Sequence, residues 1–160
     1  MRSIKVGVEG MEEFVMGNGC VFCEMIGGRR EAWTVYEDDV SFVFLDNRPL
    51  FPGHCLLVPK KHVETIWDLP VELLTPLFND VQLVARGVKS AMKSQGIFIG
   101  INNIISQSVP HLHIHIVPRN RGDGLKGFFW PRHPYSSDKE RKKVQKAVMQ
   151  AIEEIVKEQL

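Results

Sequence analysis

The sequence predicts an α+β fold with an antiparallel five-stranded sheet, one long packed helix and a C-terminal helix. Five short runs are rich in apolar and β-branched residues and end at turn-forming residues, which is typical of strands. Two longer segments carry apolar residues at steps of three and four, as one face of an amphipathic helix does. The first three strands follow one another with short links, and this order favours an antiparallel sheet over a doubly wound fold.

The predicted elements follow one another from residue 20 onward. The third strand is almost wholly apolar, which indicates a central position in the sheet. Pro76 leaves open a break in the long helix, which should end at Gly96, and the pattern Ser137-Asp-Lys-Glu140 predicts a capping box for the last helix. In chain order the elements are a short helix or turn at 21–26, strands at 33–36, 40–45 and 55–58, a helical stripe at 73–92, strands at 97–101 and 108–117, and a helical stripe at 144–155.

The length of 160 residues suits one domain with one core. Residues 1–19 show little periodicity, and we expect them to form an N-terminal arm. Residues 20–135 are expected to form the domain itself. Residues 136–160 should form a C-terminal helix that packs on the same domain.

The overall composition is that of an ordinary globular protein, with 44% hydrophobic and 24% charged residues. No apolar run approaches the roughly 20 residues that span a bilayer, and the acidic N-terminus resembles neither a signal peptide nor a transit peptide. We therefore expect a cytoplasmic protein without a membrane partner. The formal net charge of +1 gives no reason to expect a nucleic-acid partner.

Three histidines, His111, His113 and His115, alternate with apolar residues in the segment 107–119. Because strand side chains alternate between faces, the apolar residues would point into a core and the histidines would share the other face. Like charges disfavour one another, so at least one imidazole should be neutral near pH 7 and able to act as a base, nucleophile or metal ligand. The alternatives are solvated histidines on an exposed face and a three-histidine metal centre. The second fits poorly, because side chains along one strand do not converge on one ion.

Cys20 and Cys23 form a Cys-x-x-Cys pair near the N-terminus. The spacing alone is compatible with zinc, a redox pair or chance, but no thioredoxin-like unit surrounds it. Cys55 lies in an apolar run and is expected to be buried and inert. Three cysteines are an odd number, which argues against a complete disulfide framework.

Residues 20–119 resemble the histidine triad (HIT) family of nucleotide hydrolases and transferases. The matching stretches are 35–39, 44–46, 52–54, 57–62 and 107–119, in the family's order, and the alternating histidines after Gln107 and Ser108 are the most specific of them. The third histidine resembles the hydrolase side of the family, since the phosphorylase and uridylyltransferase side usually carries glutamine there. Two stretches depart from the pattern. The short apolar segment 103–106 stands in place of a glycine-rich loop, and Asn47-Arg48 stands where an apolar residue is usual.

The resemblance implies a role for each residue of a nucleotide site. His113 would attack the α-phosphorus and form a covalent nucleotidyl-histidine, which water then opens. The other catalytic residues would be His115, which binds the phosphate oxygens, Gln107 and Ser108, which donate hydrogen bonds to the phosphate or leaving group, and His54, which helps to orient the triad. The substrate-binding residues would be Asp46 at the ribose hydroxyls, Phe22, Phe44 and Val21 around the base, and Asn102 at the phosphate or leaving group.

The resemblance also implies a structural zinc site. Some HIT proteins carry the Cys-x-x-Cys pair at this place and complete a tetrahedral site with two histidines. Two thiolates and two imidazoles form a closed zinc site, which stabilises a fold without taking part in its chemistry. Zinc bound by Cys20, Cys23, His62 and His111 is therefore the expected cofactor.

The function that the resemblance implies is hydrolysis or transfer of a nucleoside monophosphate unit by a homodimer. The expected substrates are AMP-containing dinucleoside polyphosphates or nucleoside phosphoramidates. Two alternatives remain open: a nucleotide-binding adaptor with little catalysis, and a dinucleoside polyphosphate phosphorylase. The aromatic segment 128–130 could stack on a base or pack at a subunit interface.

Overall fold

The computed structural model describes residues 19–125 and 133–158. The predicted N-terminal arm, apart from Gly19, and the aromatic segment 128–130 lie outside these residues. One turn of 3-10 helix, Ile66–Asp68, precedes the long helix. The other elements, in chain order, are α1 (Val21–Ile26), β1 (Thr34–Glu37), β2 (Ser41–Leu45), β3 (Cys55–Pro59), α2 (Val71–Ala91), β4 (Gly96–Ile101), β5 (Ile114–Arg119) and α3 (Asp138–Glu158).

The five described strands form one antiparallel sheet in the order β1-β2-β3-β5-β4. This arrangement confirms the predicted α+β fold and places β3 at the centre of the sheet. The chain divides into two compact units, one that runs through Asp123 and one that begins at Gly124. The sheet, α1 and α2 belong to the first unit, and α3 belongs to the second. The predicted domain boundaries and the packing of the C-terminal helix on the domain stay predictions.

The central strands of the sheet are buried on both faces, and each face has its own core. α2 covers one face with side chains that recur at three- and four-residue steps, as its amphipathic sequence predicts. This core includes Leu57, Leu77, Val81, Leu112 and Ile114. The short helix α1 packs against the other face, and the core there includes Phe22, Met25, Phe42, Phe44 and Leu56.

β5, the last strand in the chain, begins at Ile114, so the predicted start of this strand at residue 108 was wrong. Before Ile114 the backbone forms hydrogen bonds outside the sheet. The N–H of Leu112 donates to the carbonyl of Val63 at 2.7 Å, and the N–H of His111 donates to the carbonyl of Val109 at 2.8 Å. The segment before Ile114 therefore takes backbone partners in the loop after β3 and within its own turn.

The helices begin and end close to the predicted residues. α2 continues through Pro76 and ends at Ala91, whereas Gly96, the predicted helix end, begins β4. The N–H of Glu140 donates to Oγ of Ser137 at 3.2 Å, which is half of the predicted capping box of α3. The carboxylate of Glu140 accepts from Ser136 rather than Ser137. None of the helices in residues 19–125 and 133–158 is both long enough and apolar enough to cross a membrane.

A buried carboxylate on α2 connects this helix to the β1–β2 hairpin. Asp80 is only 7% exposed, and it accepts hydrogen bonds from the hydroxyls of Ser41 at 2.6 Å and Tyr36 at 3.4 Å. Burial raises the pKa of Asp80, and the carboxylate of Asp38 beside it adds to the rise. Burial also raises the pKa of Tyr36 to about 12, with both carboxylates contributing. The cluster is therefore most stable when Asp80 carries a proton.

Asp80→Asn is expected to reduce the pH dependence of the free energy of unfolding. Because the pKa of Asp80 is raised in the folded chain, its stabilising contribution is complete below the unfolded pKa and is lost as pH rises through the folded pKa. The stability of the wild-type chain relative to the variant should therefore fall as the pH rises above about 4, the pKa of an unfolded aspartate. Urea unfolding measures this, with the exposed Asp39→Asn as the matched control. A constant difference between wild type and Asp80→Asn across this range would contradict the prediction.

Candidate functional site

The three histidines come together on the side of the sheet that α1 covers. His115 lies on β5 opposite Leu56, a member of the core beside α1. The ring of Phe22 packs edge-on against both His113 and His111, with centroid distances of 5.5 and 5.8 Å. The predicted convergence on one side is therefore present, although only His115 lies on the strand itself. His111 and His113 are buried, and His115 is half-buried.

The main chain determines the tautomer of His113. Its Nδ1 lies 2.7 Å from the carbonyl oxygen of His111, and a carbonyl oxygen can only accept a hydrogen bond. Nδ1 of His113 therefore carries the proton, and Nε2 of the neutral ring keeps its lone pair. This is the protonation state that a nucleophilic imidazole requires.

His54 and His115 form a second chain of hydrogen bonds that also starts at the main chain. The N–H of Leu50 donates to Nδ1 of His54 at 3.1 Å, so Nε2 of His54 carries that ring's proton. Nε2–H of His54 then donates to Nδ1 of His115 at 3.0 Å. Consequently the proton of a neutral His115 is on Nε2. Hydrogen bonds that start at the backbone thus select opposite tautomers: Nε2 carries the lone pair in His113 and the proton in His115.

Both members of this pair are neutral near pH 7. Burial lowers the pKa of His54, although the carboxylate of Asp46 opposes the change. Burial, followed by the neighbouring rings of His113 and His54, lowers the pKa of His115 to about 4. A neutral His115 can donate one hydrogen bond from Nε2 but brings no charge to the site.

Asp46 lies directly after β2, beside His54. One of its carboxylate oxygens accepts from the N–H of Arg48 at 2.8 Å, and the other is 3.5 Å from Nδ1 of His54. Ligand atoms of Asp46, His54 and His115 lie within 4.8 Å of one another, which is close enough for a cation. However, a cation at Nε2 of His54 would move its proton to Nδ1, where it would face the N–H of Leu50. We therefore assign His54 and His115 to a hydrogen-bonded pair, with the carboxylate of Asp46 beside it.

A second cluster combines two thiols with two imidazoles. Sγ of Cys20 is 3.4 Å from Nδ1 of His111, and Sγ of Cys23 is 3.3 Å from Nδ1 of His62 and 3.6 Å from Nδ1 of His111. The two Nδ1 atoms are 3.2 Å apart. Ligand atoms of a tetrahedral site with zinc bonds of about 2.0–2.3 Å stand about 3.3–3.8 Å apart. The four predicted residues are thus placed as ligands of one metal ion would be.

His111 has the surroundings of a metal-binding histidine. Its Nε2–H donates to the carbonyl of Pro59 at 2.9 Å, so that Nδ1, the nitrogen facing the thiols, is unprotonated in the neutral ring. Burial lowers the pKa of His111 to about 4, which keeps the ring neutral. Cys20, Cys23 and Cys55 are all buried. Cys55, as expected, is on the α2 side of the sheet, and burial raises its pKa to about 11.

The remaining predicted residues differ in how directly they face the histidines. Phe44 packs against Phe22, with the ring centroids 5.4 Å apart, and both rings are buried in the core beside α1, where Phe22 also contacts His113. Asn102 follows β4 and is half-buried. Val21 and Ser108 line a separate cavity of about 340 Å³ beside His62.

Gln107 holds the loop before the histidines together. Its amide nitrogen donates to the carbonyl of Glu64 at 2.6 Å, and its amide oxygen accepts from the N–H of Ile104 at 2.8 Å. Ile104 and Ser106 have positive φ values of 66° and 60°, which non-glycine residues rarely adopt. The contacts of Gln107 therefore stabilise the turn that takes the place of the expected glycine-rich loop.

Two neighbours of the site were not predicted from the sequence. Gly100 on β4 stands opposite His115, and a Cβ atom added to Gly100 would come within 2.4 Å of the ring of Phe98. The ring of Phe98 therefore lies over Gly100, on the face that carries His115. The period-two alternation of β4 could have placed both residues on this face once the pairing of β4 with β5 was known.

Comparisons with known proteins give consistent results. Residues 28–122 match the family model described as "HIT domain". Adenylylsulfatase HINT3 of Arabidopsis thaliana is 32% identical over 157 residues, which cover 94% of this chain and 78% of the relative. Adenosine 5'-monophosphoramidase HNT1 of Saccharomyces cerevisiae is 33% identical over 124 residues, covering 75% of each protein. The crystal structure of a Zn-bound histidine triad family protein from Mycobacterium smegmatis has a TM-score of 0.64 and 31% identity, covering 85% of this chain and 97% of that one.

Proposed function

Because the chain belongs to the HIT domain family, we propose that it cleaves nucleotides at the α-phosphate through a covalent intermediate on His113. The observation that carries this proposal is the complementary protonation of two neighbouring rings. Nδ1 of His113 donates to the carbonyl of His111, and Nδ1 of His115 accepts from His54. The site therefore presents one lone pair for attack and one N–H donor for a phosphate oxygen.

The proposed reaction has two displacement steps at phosphorus. In the first, the Nε2 lone pair of His113 forms a bond to the α-phosphorus, and the bond from phosphorus to the leaving group breaks. The leaving group departs with the bonding electron pair and takes up a proton from solvent. In the second step, water attacks the same phosphorus and releases a proton to solvent, and the bond from phosphorus to His113 breaks with its electron pair returning to Nε2. The products are a nucleoside monophosphate and the original ring.

The presence of His115 favours water over phosphate as the acceptor of the nucleotidyl group, because the phosphorylase side of the family usually carries glutamine at this position. The third histidine is present, and it is held as a neutral donor by His54 and Leu50. The two relatives are named for reactions of adenylyl compounds with different leaving groups, one a sulfate and the other an amine. The second relative supports a nucleoside phosphoramidate as the substrate of this chain, and a dinucleoside polyphosphate is proposed beside it from the resemblance in sequence.

A substrate panel tests this function. Purified protein is incubated with diadenosine triphosphate, diadenosine tetraphosphate, adenosine phosphoramidate and adenylated lysine, each with and without inorganic phosphate. We expect AMP as the product whether or not phosphate is present. Formation of ADP that depends on phosphate would indicate a phosphorylase instead. Tight nucleotide binding without any product would indicate an adaptor.

We further propose that Cys20, Cys23, His62 and His111 hold a structural zinc ion. The distances among their ligand atoms, and the hydrogen bond from Nε2 of His111 to the carbonyl of Pro59, support this set. A closed tetrahedral ion stabilises a fold and leaves no open position for substrate. Thiolate ligands require a reducing setting, so a cytoplasmic location is part of the proposal, as is a homodimer.

Asp46→Asn is expected to raise KM by ~10-fold and to change kcat little, if the carboxylate binds the ribose hydroxyls, because such binding is equal in the ground and transition states. Steady-state kinetics measure both constants. The matched control is Asp39→Asn, an exposed aspartate in the β1–β2 turn, which should leave both unchanged. A fall in kcat at constant KM would contradict the ribose assignment. It would indicate instead that Asp46 acts on His54, 3.5 Å away.

A further inference from the structure

His111 belongs to both of the arrangements described above. Its ring lies in the Cys/His cluster, 3.4 Å from Sγ of Cys20 and 3.2 Å from Nδ1 of His62. Its main-chain carbonyl accepts from Nδ1 of His113 at 2.7 Å. One residue thus connects the candidate metal site with the atom that determines which nitrogen of His113 is free to react.

We propose that His111 is a positioning residue, through which metal loading of the Cys/His cluster fixes the tautomer and orientation of the nucleophile His113. The cluster is then more than a structural element that stabilises the fold. That His113 acts as the nucleophile rests on the function proposed above. The connection between the Cys/His cluster and the ring of His113 depends on the contacts of His111.

The ring and main chain of His111 are held at several points. Nε2–H donates to the carbonyl of Pro59 at 2.9 Å, and the ring is fully buried. The N–H of His111 donates to Val109, and the next residue, Leu112, donates to Val63. With Nδ1 also bound, the ring cannot turn, and the direction of the carbonyl that follows it is restricted. Without a metal, Nδ1 has only thiols and a second imidazole as partners.

Phe22 provides a second connection from the cluster to His113. It lies between the two cysteines in the sequence, at the start of α1. Its ring contacts His113 edge-on, with a centroid distance of 5.5 Å and an interplanar angle of 73°. Fixing Cys20 and Cys23 therefore fixes the residue that packs against the nucleophile. The ring of His113 is therefore held by two contacts, the hydrogen bond to the carbonyl of His111 and the packing against the ring of Phe22.

The pair formed by His54 and His115 provides an internal control. Its tautomers depend on the N–H of Leu50 and involve no ligand of the cluster. The proposal therefore requires that loss of the metal changes His113 and leaves the ring nitrogens of His54 and His115 as they were.

Nuclear magnetic resonance of the full chain labelled with ¹⁵N-histidine tests the proposal. Long-range ¹H–¹⁵N spectra are recorded for zinc-loaded protein, for protein stripped by a chelator and for stripped protein after zinc is returned. Signals of His113 are identified by their loss in His113→Ala. We expect a single Nδ1–H tautomer of His113 in the loaded form, loss of that single state on stripping, and recovery with zinc. The rate of adduct formation should fall ~10-fold on stripping, by analogy with the loss of activity when the groups that orient a metal-ligating histidine are removed.

The possible results separate the alternatives. Unchanged His113 signals at zero zinc content would overturn the proposal. So would equal changes at His54 and His115, since these would indicate general loosening. If stripping unfolds the chain, His62→Ala keeps three ligands, and zinc is titrated into that variant. The His113 signals should then shift along the same titration curve as zinc binding, and signals that stay constant along it would overturn the proposal. If the loaded protein forms no nucleotidyl adduct, only the proposed function fails, because the tautomer measurement does not depend on turnover.

Discussion

His113→Ala is expected to fold and to lose turnover by ~10³-fold or more, because the variant lacks the nitrogen that would form the covalent intermediate. The ring of His113 is buried against Phe22, so its removal leaves a small cavity and lowers stability by about 1–3 kcal/mol. The measurement is initial rate at saturating nucleotide, with circular dichroism to confirm the fold.

The control for this prediction is His133→Ala, which removes an exposed histidine of the second compact unit. It should retain the wild-type rate. Nucleotide binding by His113→Ala should also persist, since Asp46 and His115 are unaffected. If His113→Ala kept more than about a tenth of the wild-type rate, attack by this ring would be excluded.

Replacing both thiols of the cluster, Cys20→Ser with Cys23→Ser, is expected to abolish zinc binding and to lower stability by about 4 kcal/mol at a zinc concentration far above Kd. A serine hydroxyl is a much poorer zinc ligand than a thiolate. The loss also removes the contacts of the two thiols with His62 and His111, which help to hold α1 in place. Metal content and the free energy of unfolding are the two measurements.

Cys55→Ser is the matched control for the thiol change. Cys55 is equally buried, but it lies in the other core and its thiol donates to the carbonyl of Gly53. A serine there keeps that hydrogen bond, so the variant should retain zinc and lose no more than about 1 kcal/mol. Wild-type protein that contains no zinc after purification without chelator, or a double variant as stable as Cys55→Ser, would argue against the metal site.

The fold could be predicted because its periodic segments are strong and local. The segments that form β2 and β3 are almost continuously apolar and buried. The apolar residues of α2 recur along one face of the helix over about five turns. The start of β5 could not be predicted, because alternation continues from His111 into the strand while the hydrogen bonds change partner at Ile114. Which carbonyl a given N–H meets is a tertiary property that side-chain pattern does not encode.

The side chains of the candidate site could be proposed from sequence motifs, but the hydrogen bonds that connect them could not. The histidine spacing and the Cys-x-x-Cys pair indicated which side chains to consider, and the structure brings the four cluster residues to ligand distances. The tautomers of His113 and His115 depend on main-chain groups of His111 and Leu50, which no side-chain motif specifies. The role of Gln107 in the turn could not be predicted from the sequence either, since its contacts depend on the positive φ values of Ile104 and Ser106.

Intact-mass spectrometry of the protein mixed rapidly with adenosine phosphoramidate, followed by peptide mapping, tests the proposed chemistry most directly. An adenylyl group bound to Nε2 of His113 should appear before AMP is released, and it should be absent from His113→Ala. Turnover of this substrate without an adduct on His113, or with an adduct on another residue, would contradict the mechanism.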